Sequence, residues 1–247
     1  MLCTTKGIVI RERFVGENDK YIDVLTKDLG VIEVNIKGVK KINSKNSSST
    51  QLFSYSKLCL AKRGEKYILN SSEPINVFYE LRLDIERLSL ASYFADVIKF
   101  SVVSEEPADG VLRLFLNTLH YLSNGNRSIP FLKSIFELRL LTEIGLMPDL
   151  VACKNCVKYD GEIYFFHILE GIIICENCHN GVENDNIVGI GKSILHAMRY
   201  IIFSDYEKLF NFKISDESQK ILSDISEKYL VTHLNKNFKT LDFFKSL

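Results

Sequence analysis

Residues 153–178 read CKNCVKYDGEIYFFHILEGIIICENC, and this stretch decides how the rest of the chain is divided. Cys153 and Cys156 form one Cys-x-x-Cys pair and Cys175 and Cys178 a second, with 18 residues between the pairs. Each pair turns its two sulfurs toward one point. Brought together, the two supply four thiolates in the tetrahedral, soft-ligand shell that zinc prefers. Residues 161–174 carry apolar side chains on both sides of Glu170-Gly171, so they read as a hairpin that returns the second pair to the first. One pair alone would leave redox-active or unligated thiols open. Two at this spacing favour a single structural zinc ion, with an iron–sulfur cluster as the alternative for the same ligand type. A catalytic zinc keeps a position open for water, and four thiolates close the shell even with His167 and His179 nearby. The His-x-Glu of zinc deaminases is absent from the sequence.

Upstream of the cysteines the pattern changes twice. Residues 6–76 read as an all-β module with strands at 6–14, 21–26, 31–37, 52–62 and 66–70, punctuated by Gly16-Glu17-Asn18-Asp19, Asp28-Leu29-Gly30 and Gly64-Glu65. Alternation is clearest in the third, where Ile32, Val34 and Ile36 share a face. Five short strands without helices between them predict a small closed barrel, because closure removes exposed edges. The stretch NSKNSSSTQ, residues 43–51, reads as a mobile surface loop. From residue 77 the spacing is helical: Leu81, Ile85 and Leu88 lead into Tyr93, Phe94, Val97 and Ile98. Leu112, Leu116, Leu119 and Leu122 mark a second helix, 129–144 a third ended by Gly145, and 189–203 and 215–238 return to helix after the cysteines. The expected class is α+β and multidomain: a barrel over 1–78, a helical domain over 79–148 and 187–247, and a four-cysteine insert over 149–186.

Charge is distributed unevenly. The 247 residues hold 31 basic and 31 acidic side chains, yet residues 1–80 carry 13 of the basic and 9 of the acidic ones, leaving 18 against 22 for the remainder. This is the balance of a basic module joined to an acidic body. No apolar stretch resembles a secretory signal or reaches the roughly 20 residues that span a bilayer, so a cytoplasmic protein that does not enter membranes is expected. No nucleophile–base motif, phosphate-binding glycine loop or paired-carboxylate signature is present in the sequence, which favours a binding protein over an enzyme.

Several stretches together resemble the bacterial recombination mediator family RecO. They are Gly16-Glu17-Asn18-Asp19, Leu25-Thr26-Lys27-Asp28-Leu29-Gly30, Lys37-Gly38-Val39-Lys40-Lys41, Phe136-Glu137-Leu138-Arg139-Leu140-Leu141, Gly145-Leu146-Met147-Pro148 leading into Cys153, and the stretch from His233 to Leu247. The resemblance covers nearly the whole chain. It implies an N-terminal OB-fold, a helical body with a zinc-finger insert, binding of single- and double-stranded DNA, annealing of complementary strands, and a partnership with RecR and the single-stranded-DNA-binding protein in loading recombinase. The family's basic segment after the third strand is often arginine-rich. Here it is Lys40, Lys41 and Lys45, which supply point charge without arginine's planar stacking.

Candidate DNA contacts follow from the barrel's cations: Arg11 and Arg13 two residues apart on the first strand, Lys37, Lys40, Lys41 and Lys45 after the third, and Lys62 and Arg63 ending the fourth. Tyr21, Phe53, Tyr55 and Tyr67 are the barrel aromatics, each read as core before base-stacking platform. Phe136, Arg139 and Leu140 on the third helix are candidates for gripping the acidic, apolar tail of a protein partner, against the reading of Arg139 as a snorkelling surface arginine. Two other functions stay open at this point: a zinc-ribbon OB-fold adaptor acting on RNA or in transcription, and a metalloenzyme.

Overall fold

A computed structural model describes residues 2–15, 19–37, 47–64, 66–181 and 184–247. By contact the chain divides into two units, one of residues 1–124 with 238–247 and one of residues 125–237.

The first unit opens with five strands: β1 (Leu2–Val15), β2 (Asp19–Thr26), β3 (Val31–Ile36), β4 (Ser54–Arg63) and β5 (Lys66–Val77). They form a closed barrel in the order β1-β2-β3-β5-β4, with β1 antiparallel to both β2 and β4, a small barrel of the OB type. The seam is a short parallel pairing that sets Val34 opposite Tyr67 and Asn35 opposite Ile68. The alternating residues do what their period demands: Val9, Ile22, Val24, Ile32, Val34, Ile36, Leu58, Leu60 and Tyr67 fill the interior. Bulges between Val9 and Arg11 in β1, and at Tyr55/Ser56 and Cys59/Leu60 where β4 meets β5, add the twist a five-stranded sheet needs to close.

Two features depart from the sequence reading. β5 runs seven residues past Asn70, because Ser71, Ser72, Glu73 and Pro74 lie opposite Cys59, Leu58, Lys57 and Ser56. The partner strand sets its length, not its side-chain pattern. The described part of the serine-rich stretch is not a surface loop: Ser48–Thr50 forms a 3-10 turn with Ser49 and Thr50 buried. Its carbonyls are all taken. Ser54 Oγ donates to Ser48 O at 2.7 Å, Ser56 Oγ to Ser49 O at 2.8 Å, and the buried Lys20 Nζ to Thr50 O at 2.7 Å.

After a 3-10 turn at Tyr79–Leu83, α1 (Ile85–Ser101) and α2 (Asp109–Asn124) pack within the same unit. Asp84 caps α1, its carboxylate accepting from the N–H groups of Glu86 and Arg87. Phe53 meets Phe115 of α2 edge-on at 6.2 Å. The connection between the helices, residues 102–108, lies on the β2–β3 turn: Glu105 N–H donates to Leu29 O and Ala108 N–H to Lys27 O, both at 2.9 Å, and Gly30 bridges to Ser104. This approach requires glycine. Gly30 has φ +58°, and a Cβ there would sit 2.0 Å from Val103 O.

The second unit is built on α3 (Ile129–Glu143), a three-stranded sheet of β6 (Ile163–His167), β7 (Ile172–Cys175) and β8 (Ile187–Gly191) in the order β7-β6-β8, and the helices α4 (Lys192–Phe203) and α5 (Asp216–Leu234). Residues 189–191 belong to β8, not to the following helix as their sequence suggested, because Gly189, Ile190 and Gly191 pair with Phe165, Tyr164 and Ile163. α3 packs against α5 and is buried on nearly all sides. Between them lies an ion network. Lys133 Nζ is 3.0 Å from Glu137 Oε1 and 2.9 Å from Glu227 Oε2, and donates to Ser223 O at 3.2 Å. The chain then returns to the first unit, where Phe238 stands edge-on to Tyr93 and Phe100 at 5.9 Å each, and α6 (Lys239–Lys245) brings Thr240 Oγ1 to Asp96 at 3.0 Å.

Gly30→Ala is expected to cost about 2 kcal/mol or more, the sum of a left-handed backbone forced on alanine and a backbone collision. Denaturant unfolding measures it; wild-type stability in the variant would show that the 102–108 connection does not rest on the β2–β3 turn.

Candidate metal centre and nucleic-acid interface

The four cysteines come together. Their sulfurs all lie within 4.8 Å of one another, Cys156 and Cys175 at 3.6 Å. Four thiolates about 2.3 Å from one ion in a tetrahedron stand about 3.8 Å apart, so the cluster fits a tetrahedral metal. Local structure explains the convergence. In the first turn Val157 N–H donates to Cys153 O at 2.9 Å, and Val157 adopts φ +59°. In the second, the N–H groups of Cys178 and His179 both donate to Cys175 O at 3.0 Å. The β6–β7 hairpin turns at Gly171, φ +65°, and Lys154 N–H donates to Ile173 O at 2.9 Å, which joins the first turn to the hairpin's return strand.

Cys153 and Cys175 are buried, Cys178 is half-buried and Cys156 is exposed. Burial pushes the Cys153 thiol up, but the N–H groups of Cys175, Cys156 and Asn155 outweigh it and bring it down to about 6. The Cys175 N–H reaches the Cys153 sulfur at 3.2 Å. Cys178 goes the other way: hydrogen bonds to the sulfurs of Cys156 and Cys175, followed by burial and the charge of Cys153, push it up to about 12. The backbone thus favours the thiolate of Cys153, while the neighbouring sulfurs disfavour that of Cys178.

Sequence reading missed Arg199. Embedded in the apolar run of α4, it is buried, and its Nε donates to Leu150 O at 2.7 Å. Its Nη2 donates to Val151 O at 2.9 Å and Tyr159 O at 3.1 Å, and the guanidinium lies 4.4 Å from the centre of the Tyr159 ring. One side chain thus ties both flanks of the first cysteine turn to α4. The available signal was a lone arginine among Leu195, Met198, Ile201 and Ile202, a position that pays for burial only by satisfying several carbonyls.

The barrel cations fall into three groups. Arg11, Lys37 and Arg63 are exposed and form no ion pair with another described residue. Arg13 and Lys62 are held by carboxylates. Arg13 pairs with Glu33 and lies 3.6 Å from Asp23, and Lys62 pairs with Glu105. Lys40, Lys41 and Lys45 lie outside the described residues, as do Gly16, Glu17 and Asn18. Of the aromatics, Phe53 and Tyr67 are buried, while Tyr21 and Tyr55 are half-buried.

The expected partner site on α3 is corrected. Phe136 and Leu140 are fully buried, so they line no groove. Arg139 is no snorkelling surface residue either. Its Nε donates to Glu143 at 2.9 Å and its Nη1 to the carbonyls of Ile202 and Ser204 at 2.9 Å and Ile201 at 3.3 Å, with the guanidinium 4.6 Å from the centre of the Tyr206 ring. It caps the C-terminal carbonyls of α4.

Two family models match: Recombination protein O N terminal over residues 1–78 and Recombination protein O C terminal over residues 82–242. Curated relatives described as DNA repair protein RecO extend over the full length. That of Acetivibrio thermocellus is 34% identical over 244 residues, 98% of this chain and 96% of the relative. That of Alkaliphilus metalliredigens is 30% identical over 248 residues, covering 100% of each. Among the described residues no helix is long and apolar enough to cross a membrane.

Cys175→Ser removes one ligand and the β7 end of the cluster. The expected result is loss of bound metal, a melting temperature lower by on the order of 10 °C for a loss of a few kcal/mol, and new protease cleavage within residues 154–180. Retention of both metal and melting temperature would show that the cluster is not a metal centre.

Proposed function

Since the chain belongs to the RecO family of DNA repair proteins, we propose that it is a DNA-binding and strand-annealing recombination mediator that helps load recombinase on single-stranded DNA. It acts by binding, without a catalytic step of its own, in the cytoplasm at the nucleoid. The observation that carries this reading is the joint match of both family models to a chain whose strands β1 to β5 form a closed barrel, within a segment rich in cations. The division of labour follows the segments: 1–78 binds nucleic acid, 79–148 and 187–247 supply the helices, and 149–186 is the metal module.

The physics of annealing suits such a surface. Complementary strands repel through their phosphates. A protein that neutralises phosphates releases counterions and holds both strands without reading their bases. Arg11, Lys37 and Arg63 are the described cations best able to do this, with Lys40, Lys41 and Lys45 beside them in the sequence. The remainder of the chain is net acidic and disfavours DNA.

Zinc is the proposed ion. It supplies one closed tetrahedral centre with no redox chemistry, and residues Cys153, Cys156, Cys175 and Cys178 use it to pin the hairpin. An iron–sulfur cluster on the same sulfurs would colour the protein, so metal analysis with an absorbance spectrum separates the two.

The proposed partners are single- and double-stranded DNA, RecR and the single-stranded-DNA-binding protein. For the acidic, apolar tail of the last, the favoured surface is a cavity of about 270 Å³ lined by Arg127, Phe131, Phe212 and Lys213. It sets Arg127 and Lys213, against the single acid Asp216, beside aromatic rings 4.8 Å apart, and cations with rings are the combination such a tail requires.

Two measurements test these assignments. Replacing Arg11, Lys37 and Arg63 together by glutamine is expected to weaken binding to unrelated DNA sequences by similar factors and to flatten log affinity against log salt by about 2 to 3, at 0.7 to 0.9 per contact. An unchanged slope moves the DNA site off these residues. Arg127→Glu is expected to weaken binding of a fluorescent acidic tail peptide about tenfold while DNA binding stays intact. Undiminished peptide binding by the folded variant removes the cavity from the proposal.

A further inference from the structure

Two of the candidate DNA-binding cations, Arg13 and Lys62, are already answered by carboxylates of the same molecule, and that of Lys62 arrives from outside the barrel. Glu105 stands on the connection between α1 and α2. Its carboxylate accepts from Lys62 Nζ and, at 3.1 Å, from the Tyr67 hydroxyl. Lys62 Nζ also lies 5.2 Å from the centre of the Tyr67 ring. The placement is not a chance contact of a loose loop. Backbone hydrogen bonds from Glu105 and Ala108 fasten the connection to the β2–β3 turn, and Glu105 itself holds φ +66°, a conformation that side chains other than glycine rarely adopt.

The carboxylate rests on the rim of a cavity of about 390 Å³ lined by Tyr21, Asn35, Lys66, Tyr67 and Glu33, among others. Glu33 is paired with Arg13 and Glu105 with Lys62, and Lys66 also lines the cavity. Asn35 Oδ1 is buried and has no hydrogen-bond partner among the described residues. One donor cation, one phenolic donor, a half-buried tyrosine ring and an unused acceptor are what a nucleotide needs: the first two suit a phosphate oxygen, the second two a base.

We propose that the Glu105 carboxylate occupies a phosphate subsite of the barrel, and that single-stranded nucleic acid binds there by exchanging a backbone phosphate for it on Lys62 and Tyr67. Glu105 is thus an internal competitor, displaced by side-chain rotation while its backbone stays fastened. An exposed ion pair is weak, so a phosphate backbone that brings several charges at once displaces it readily. The inference rests on the reading of the barrel as the DNA-binding part and adds how that surface is kept closed in the absence of DNA.

The test is fluorescence anisotropy with a fluorescein-labelled oligodeoxythymidylate, titrated with salt, for wild type, Glu105→Gln, Glu105→Ala, Lys62→Gln and the double variant Lys62→Gln/Glu105→Gln. Loss of the Glu105 charge is expected to tighten binding about five- to tenfold at low salt with the salt slope nearly unchanged, because the Lys62–phosphate contact forms in wild type as well, whereas Lys62→Gln flattens the slope by about 0.7. Both Glu105 variants must show it. In the Lys62→Gln background the gain must vanish, because the exchange needs that lysine. Unchanged affinity in either Glu105 variant, or an equal gain with and without Lys62, overturns the subsite, the latter by marking a general effect of charge. The Arg11/Lys37/Arg63 glutamine variant runs alongside. If it weakens binding while Glu105 has no effect, the subsite alone falls; if neither matters, the barrel reading falls with it.

Discussion

Closure of the barrel depends on a short parallel pairing. β3 and β5 meet through Val34 opposite Tyr67 and Asn35 opposite Ile68, and without that seam the remaining pairs describe an open sheet with two edges. Closing it turns the alternating residues of all five strands onto one interior. It also fixes what lies at the seam: the Tyr67 hydroxyl points to Glu105, and Asn35 sits beside it on the same cavity. The α1–α2 connection approaches closely enough to use this arrangement only because residue 30 has no Cβ.

In the second unit the comparable constraint is electrostatic. Lys133 and Glu137 are buried one helical turn apart on α3, and Glu227 and Ser226 of α5 complete their coordination. A buried pair of this kind contributes little net stability, since desolvation offsets attraction, but removing one member strands the other. Its effect is on register: α3 and α5 have one relative position that satisfies every charge.

Legibility in the sequence followed the distance over which each feature is encoded. The cysteine cluster was readable because two four-residue turns carry their own geometry. The barrel strands were readable from their β-branched and alternating residues, and α3 from its apolar run ended by Gly145. The failures concern partners far along the chain. Phe136, Arg139 and Leu140 look like a groove in sequence, since a helix buried on every side has no polar face to mark its orientation, and the carbonyls that hold Arg139 lie some 60 residues on. Lys62 reads as an uncommitted cation until Glu105, 43 residues away, is placed beside it. The clamp formed by Arg199 was invisible for the same reason.

The path of the chain between the two units bears on how the protein is made. Residues 125–237 are contiguous, whereas the first unit is assembled from residues 1–124 and 238–247. During synthesis the second unit is complete before Phe238 and α6 emerge, so it can fold as soon as it clears the ribosome. The first unit must wait. Until then Tyr93 and Phe100 of α1 lack the Phe238 ring that stands edge-on to them and Asp96 lacks Thr240. The first unit therefore gains its last element only after the second unit's residues have been made, and its nascent form carries an uncovered aromatic surface for as long as the intervening 113 residues take to be made.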